Sequence, residues 1–184
     1  MLRAEVTERD VFVPSPGPGV GILGGSYYTE TRGGRLISIH SLTSRADTVD
    51  AAFLRVSEDN GRTWSGDMPW AMKFDHADGI GRRHPRGGYV DLASCRYINV
   101  WTEGVLPTDD PLEGMRHWTL HYSVSTDGGR SQVVDEQIIH EGDDYDAVHH
   151  LPGVRRGGNC VMMGDLGQRS LTRSDGVLLI PVQS

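Results

Sequence analysis

The sequence predicts an all-β protein of antiparallel strands, and two observations carry that expectation. The first is a short pattern that occurs twice, as Ser57-Glu58-Asp59-Asn60-Gly61-Arg62-Thr63-Trp64 and as Ser125-Thr126-Asp127-Gly128-Gly129-Arg130-Ser131-Gln132. Both copies read S-x-D-x-G-x-[T/S], their aspartates lie 68 positions apart, and each copy follows an apolar stretch, 49–56 or 118–124. A strand-then-turn unit that recurs at a fixed spacing is the mark of a repeat architecture. The second is composition: 24 glycines and a hydrophobic content of only 37% suit a chain rich in turns between short strands.

The chemistry of the repeated turn is legible. Asp59 and Asp127 are placed to accept hydrogen bonds from backbone N–H groups just ahead of them, closing an Asx-type turn. Gly61 and Gly129 supply the positive φ that such a hairpin needs. Trp64 then has a rigid place to lay its ring while its N–H finds a partner.

Taken in order, residues 1–19 form an N-terminal extension that ends in the stiff run Pro14-Ser15-Pro16-Gly17-Pro18-Gly19. A first unit, 20–74, contains strands over 20–29, 35–40 and 49–56, a turn at 31–34, the first repeated turn, and a fourth strand over 68–74. Four antiparallel strands with tight turns make one blade-like unit. A second unit, 75–140, begins with a charged loop over 75–88 and continues with strands over 89–93, 96–102, 118–124 and 133–140. A polar connection over 103–116 separates its second and third strands. Residues 141–184 carry another charged loop and the opening strands of a third unit, the last around Ser174-Asp175-Gly176-Val177-Leu178-Leu179-Ile180-Pro181.

The repeated turn resembles the Asp-box, or BNR repeat, of the sialidase-like β-propeller superfamily. The first copy matches fully; the second has Gln132 where that family places tryptophan. The likeness runs more loosely over residues 20–184, and the 174–181 segment resembles a D-G-x-L-x-x-P strand of sialidase blades. It implies a six-bladed β-propeller of four-stranded antiparallel blades, of which this chain supplies about two blades and the start of a third. An open arc exposes strand edges. The remaining blades are therefore expected from a second chain, a homodimer mate or a missing C-terminal half. A small β-sandwich is the alternative fold, and it leaves the repeat unexplained.

The resemblance also implies a set of site residues. Sialidases grip a substrate carboxylate with three arginines and use an aspartate as general acid/base, with a tyrosine nucleophile. Alignment of the first strand places the first arginine at Gly24 or Gly25, where it is absent. The second falls on Leu42, with Arg45 as a displaced candidate, and the acid/base aspartate falls on Asp47. Without the arginines the strong bidentate carboxylate grip is lost, so true sialidase activity is not expected. Further substrate-binding candidates come from the charged loops, which line the funnel mouth in that family. They are a cationic cluster of His76, Arg82, Arg83, His84 and Arg86, suited to an anionic sugar, and Asp146 and His149, beside Asp144 and His150. Neighbouring strand residues point to opposite faces, so only one of His149 and His150 faces a given side. Tyr27, Tyr28 and Trp101 are candidates to stack on sugar rings or to fill the core.

The functional expectation is a carbohydrate ligand met either by a glycoside-hydrolase-like protein using Asp47, or by a non-catalytic BNR-repeat scaffold for glycan or protein binding. A formal net charge of −7 and a pI near 5.5 argue against a nucleic-acid partner. No apolar run reaches membrane-spanning length, and the charged start shows no signal peptide. The expected location is cytoplasmic, or extracellular or periplasmic if a leader has been removed. Cys95 and Cys160 have no metal spacing, and no cofactor or metal is expected.

Overall fold

The computed structural model describes residues 9–29, 33–45, 48–91, 93–110, 116–163 and 170–184. Among them the protein is all-β and contains no helix. Strands β1 (Gly21–Tyr28), β2 (Leu36–Thr43), β3 (Ala51–Ser57) and β4 (Met68–Met72) form one antiparallel sheet in sequence order. Strands β5 (Phe74–His76), β6 (Gly79–Asp91), β7 (Arg96–Leu106), β8 (Thr119–Ser125) and β9 (Val134–Gln137) form a second, again in sequence order, and one of the sheets curls into a half-barrel. Two short antiparallel pairs follow, one nested inside the other in sequence: β10 (Met162–Met163) pairs with β13 (Val182–Gln183), and β11 (Leu171–Thr172) with β12 (Leu178–Leu179).

The charged segment expected to be a loop, 75–88, is instead strand. Phe74–His76 turns tightly into β6, and β6 pairs with β7 from Ile80↔Leu106 to Asp91↔Arg96. Pro85 and the paired glycines Gly87 and Gly88 read as breakers, but the ladder absorbs them in a β-bulge. Its register jumps between Pro85 and Gly87, leaving Arg86 as the extra residue. β7 likewise runs on to Leu106, into the stretch expected to be a connection. Pro69 is tolerated in β4 because β4 pairs only with β3 among the described residues, leaving an edge that does not need its missing N–H.

The two sheets pack face to face. Ile37 and Ile39 of β2 meet Tyr97 of β7 in a buried cluster that takes in Tyr27, Leu54, Val56, Trp70 and Val90. Gly88 lets the sheets approach here, because a Cβ there would lie 3.1 Å from Tyr27 Cδ2 of the facing β1, and 2.7 Å from the Tyr97 hydroxyl of its own sheet. On the opposite face of the second sheet, Val100 and Leu120 bury against Val154, Val161 and Met163. Each such side chain contributes roughly 1.5–3 kcal/mol of burial, and alternation along β7 serves both faces at once.

The repeated turns close as their sequence predicts. Asp59 Oδ1 accepts from Thr63 N at 2.8 Å and Oδ2 from Thr63 Oγ1 at 2.6 Å, while Gly61 N donates to Ser57 Oγ at 2.9 Å. Asp127, Ser131, Gly129 and Ser125 repeat this set at 2.9, 2.7 and 2.7 Å. Gly61 and Gly129 have φ of 82° and 84°, and the residues before them, Asn60 and Gly128, are left-handed too. Trp64 lies half-buried and its Nε1–H donates to Gly61 O at 3.1 Å.

Candidate functional site

Both repeated turns lie at one end of the paired sheets, where Arg35 Nε donates to Gly128 O at 3.0 Å. The opposite end carries the β2–β3 connection, the β5–β6 turn and the segment after β7. It is the end where Arg45 and Asp47 were expected to meet a ligand. Asp47 lies outside the described residues.

Arg82 organises this end. Its side chain is buried, 2% exposed. Nε and Nη2 donate to Asp109 Oδ1 and Oδ2 at 2.8 and 3.0 Å, and Nη1 donates to Val49 O at 2.8 Å and Asp50 Oδ1 at 3.1 Å. Arg45 adds a second guanidinium to Asp109, at 3.0 Å from its carbonyl and 3.3 Å from its carboxylate. Burial works against the charge on Arg82, but Asp109 and Asp50 outweigh it and raise its pKa. The Arg82 hydrogen bonds hold the Asp109 carboxyl below the ordinary carboxylate range. At Asp50 burial raises the pKa, and bonds from Ser44 and Arg82 outweigh that and lower it. Arg82 therefore couples the two sheets through charge already neutralised within the chain.

The other predicted residues are distributed along β5, β6 and the 141–158 segment. Arg83 pairs with Glu103 at 2.5 Å and lies over the Trp101 ring, 5.7 Å from its centroid. His84 is buried at 6% exposure beside Trp118, and burial together with the Arg86 charge pushes its pKa down to about 3. Arg86 sits at the bulge. Asp146 is engaged by its own turn: Oδ1 accepts from Val148 N and His149 N, both at 2.7 Å, and these bonds, His149 first, lower its pKa. His149 Nδ1 lies 2.9 Å from Asp144 O, while His150 is fully buried. Trp101 is core, edge-on to Trp70 and stacked on His121. Gly24 is closed to a side chain, since a Cβ would stand 2.7 Å from Ile39 O, and one on Gly25 would stand 3.1 Å from the Tyr27 hydroxyl.

His76 of the predicted cluster lines a cavity at this end. The cavity, about 310 Å³, brings His76 and Asp78 of the β5–β6 turn together with Pro107, His117 and Arg156. Gly157 N closes it by donating to Arg116 O at 2.6 Å. His117 and Arg156 carry no local motif, and only the packing of separate connections joins them to His76. The arrangement offers one guanidinium, two imidazoles and one carboxylate to a polar ligand. Among the described residues no group of three or more His, Cys, Asp or Glu side chains is placed to hold a metal ion. No helix among them is long and apolar enough to cross a membrane. No family model and no curated protein matches the sequence.

Proposed function

We propose that the chain forms two successive blades of a sialidase-like β-propeller that recognises carbohydrate at the His76–His117–Arg156 end, and that it is not a true sialidase. The observation that carries the reading is the pairing of two matching turns with two consecutive antiparallel sheets: each turn closes the hairpin between the last two strands of its sheet. Binding is favoured over hydrolysis because Gly24 has no room for the missing arginine and Arg82 is committed to Asp50 and Asp109. A six-bladed ring takes its further blades from a second chain, a homodimer mate or additional sequence.

The test is a glycan-binding screen, with neutral and acidic oligosaccharides compared and Arg156→Gln as the site control. Binding that Arg156→Gln weakens roughly ten- to hundredfold supports the reading, as expected for one lost charge-assisted hydrogen bond worth roughly 1.5–3 kcal/mol. A screen without hits, or hits indifferent to Arg156, rejects it. The second reading, hydrolysis with Asp47 as general acid, predicts product release that Asp47→Asn abolishes. Light scattering on the same sample reads the number of chains in the particle.

A further inference from the structure

Asparagine followed by glycine is prone to lose its side-chain amide, because glycine puts no side chain in the way of its own backbone nitrogen. The chain has three asparagines, and Asn60-Gly61 is the one such pair. Asn99 precedes the β-branched Val100, and Asn159 precedes Cys160. The pair sits at the tip of the first repeated turn, where Asn60 is exposed and left-handed, with φ of 63°. Asparagine tolerates that conformation better than most residues with a side chain, so the turn geometry itself favours an amide beside the glycine. The second turn has Gly128 at the equivalent position and no amide to lose.

The reaction follows from general chemistry. Gly61 N attacks Asn60 Cγ, an N–Cγ bond forms, and the N–H proton passes to water. The Cγ–Nδ2 bond then breaks, and the nitrogen leaves as ammonia with a proton returned by water. The resulting five-membered imide takes up one water molecule. Hydrolysis at Cγ restores the backbone with aspartate at position 60. Hydrolysis at the main-chain carbonyl carbon of residue 60 routes the chain through the side chain, as isoaspartate. Nothing is oxidised or reduced, and water is the only co-reactant.

The folded turn blocks the first step at the nucleophile. Gly61 N donates to Ser57 Oγ at 2.9 Å, which keeps its proton in a hydrogen bond and aims it away from the amide. Ser57 is 1% exposed, and its hydroxyl is fixed in turn by donation to Asp59 Oδ1 at 2.9 Å. Asn60 is pinned against the β1–β2 turn. Its N–H donates to Gly34 O at 2.9 Å, and a Cβ on Gly34 would stand 3.1 Å from Asn60 Cβ. Asn60 Oδ1 accepts from the Tyr28 hydroxyl at 2.5 Å. That bond draws electron density from Cγ and favours attack, but only once the Gly61 nitrogen is released. Water reaches the amide; the nucleophile does not.

We infer that Asn60 is a deamidation site held shut by the first repeated turn, and that release of Gly61 N from Ser57 Oγ gates its conversion to aspartate and isoaspartate. Either product places a third carboxylate beside Glu58 and Asp59, and isoaspartate also adds a backbone atom to the turn. The inference does not depend on carbohydrate recognition at the other end.

The experiment is peptide mapping by mass spectrometry on the full chain, held at mildly alkaline pH with and without urea. In urea Asn60 is expected to convert ahead of Asn99 and Asn159. In the folded chain its conversion is expected to be at least about tenfold slower, for which a turn-opening free energy of about 1.4 kcal/mol suffices. Ser57→Ala removes the acceptor of Gly61 N and is expected to speed native conversion several-fold. Ser125→Ala makes the same change in the second turn, where it frees Gly129 N and leaves Gly61 N bonded. It is expected to leave Asn60 at the wild-type rate, which separates local opening from general loss of stability. Conversion as fast in the folded chain as in urea, another asparagine converting first in urea, or equal rates for Ser57→Ala and Ser125→Ala overturns the proposal.

Discussion

Arg82 decides whether the charged strand β6 is structural or ligand-binding, and Arg82→Met is the perturbation that reads it. Removing one partner of a buried ion pair costs about 3–5 kcal/mol when the remaining charge stays buried. Here Asp50 and Asp109 keep side-chain exposures of 27% and 31%, so water reaches them once the guanidinium is gone. Methionine also restores much of the lost apolar contact. The expected cost is therefore lower, roughly 2–3 kcal/mol. For a chain of 184 residues that lowers Tm by roughly 5–10 °C. Urea unfolding measures it as a fall in midpoint at unchanged slope. Asp109→Asn in the same background should add less than it costs alone, because the two groups share bonds at 2.8 and 3.0 Å. If Arg82 were held for a ligand, Arg82→Met would leave stability within about 0.5 kcal/mol and remove binding instead. That outcome would refute the structural assignment.

Two other perturbations test separate parts of the fold. Gly129→Ala combines a left-handed φ of 84° with a Cβ placed 2.1 Å from Ile37 Cδ1, across the sheet interface. It is expected to destabilise by roughly 2–4 kcal/mol in chemical unfolding; retention of wild-type stability would mean that the second turn does not pack on Ile37. His84, held neutral by burial with a pKa near 3, takes up a proton more readily in the unfolded chain, where its value is 6.5. Its contribution is complete above pH 6.5 and is lost as pH falls toward 3, by up to on the order of 5 kcal/mol. His84→Leu should flatten the stability profile between those limits, and identical slopes for the two proteins would show that His84 does not titrate there.

The turns were legible because their bonds are local. Serine, aspartate, glycine and threonine within seven positions make the whole network, and the residue types name its donors and acceptors. Strands β3 and β8 were legible for the same reason, since each runs straight into a turn. β6 was not. Its polar side chains Arg82 and His84 are buried, whereas a sequence pattern assigns such residues to solvent. Arg82 is compensated by Asp50 and Asp109, 32 and 27 positions away, and no short window reveals such partners. The candidate site failed to declare itself for the same physical reason. His76 ends β5 while His117 and Arg156 stand on two separate connections, and only the fold brings the three to one cavity.

The two sheets are thus tied at both ends by an arginine of one sheet reaching a loop of the other, but the two ties differ in dielectric surroundings. Arg82 is 2% exposed, and its ion pairs lie largely out of reach of dissolved ions. At the turn end Arg35 is equally buried, at 5%, but its partner Glu58 is 63% exposed and Arg130 52% exposed. At about 1 M salt the Debye length shrinks to about 3 Å, which screens exposed pairs and leaves buried ones nearly intact. The Arg35 Nε bond to Gly128 O is uncharged on the acceptor side and survives. Salt should therefore loosen the turn end selectively, without separating the sheets. Amide hydrogen exchange reads this directly. Added salt is expected to speed exchange at Gly129, whose N–H is held inside the second turn, relative to Asp50, whose N–H donates to Leu42 O. Equal changes at both amides would mean that Glu58 contributes no electrostatic link at the turn end.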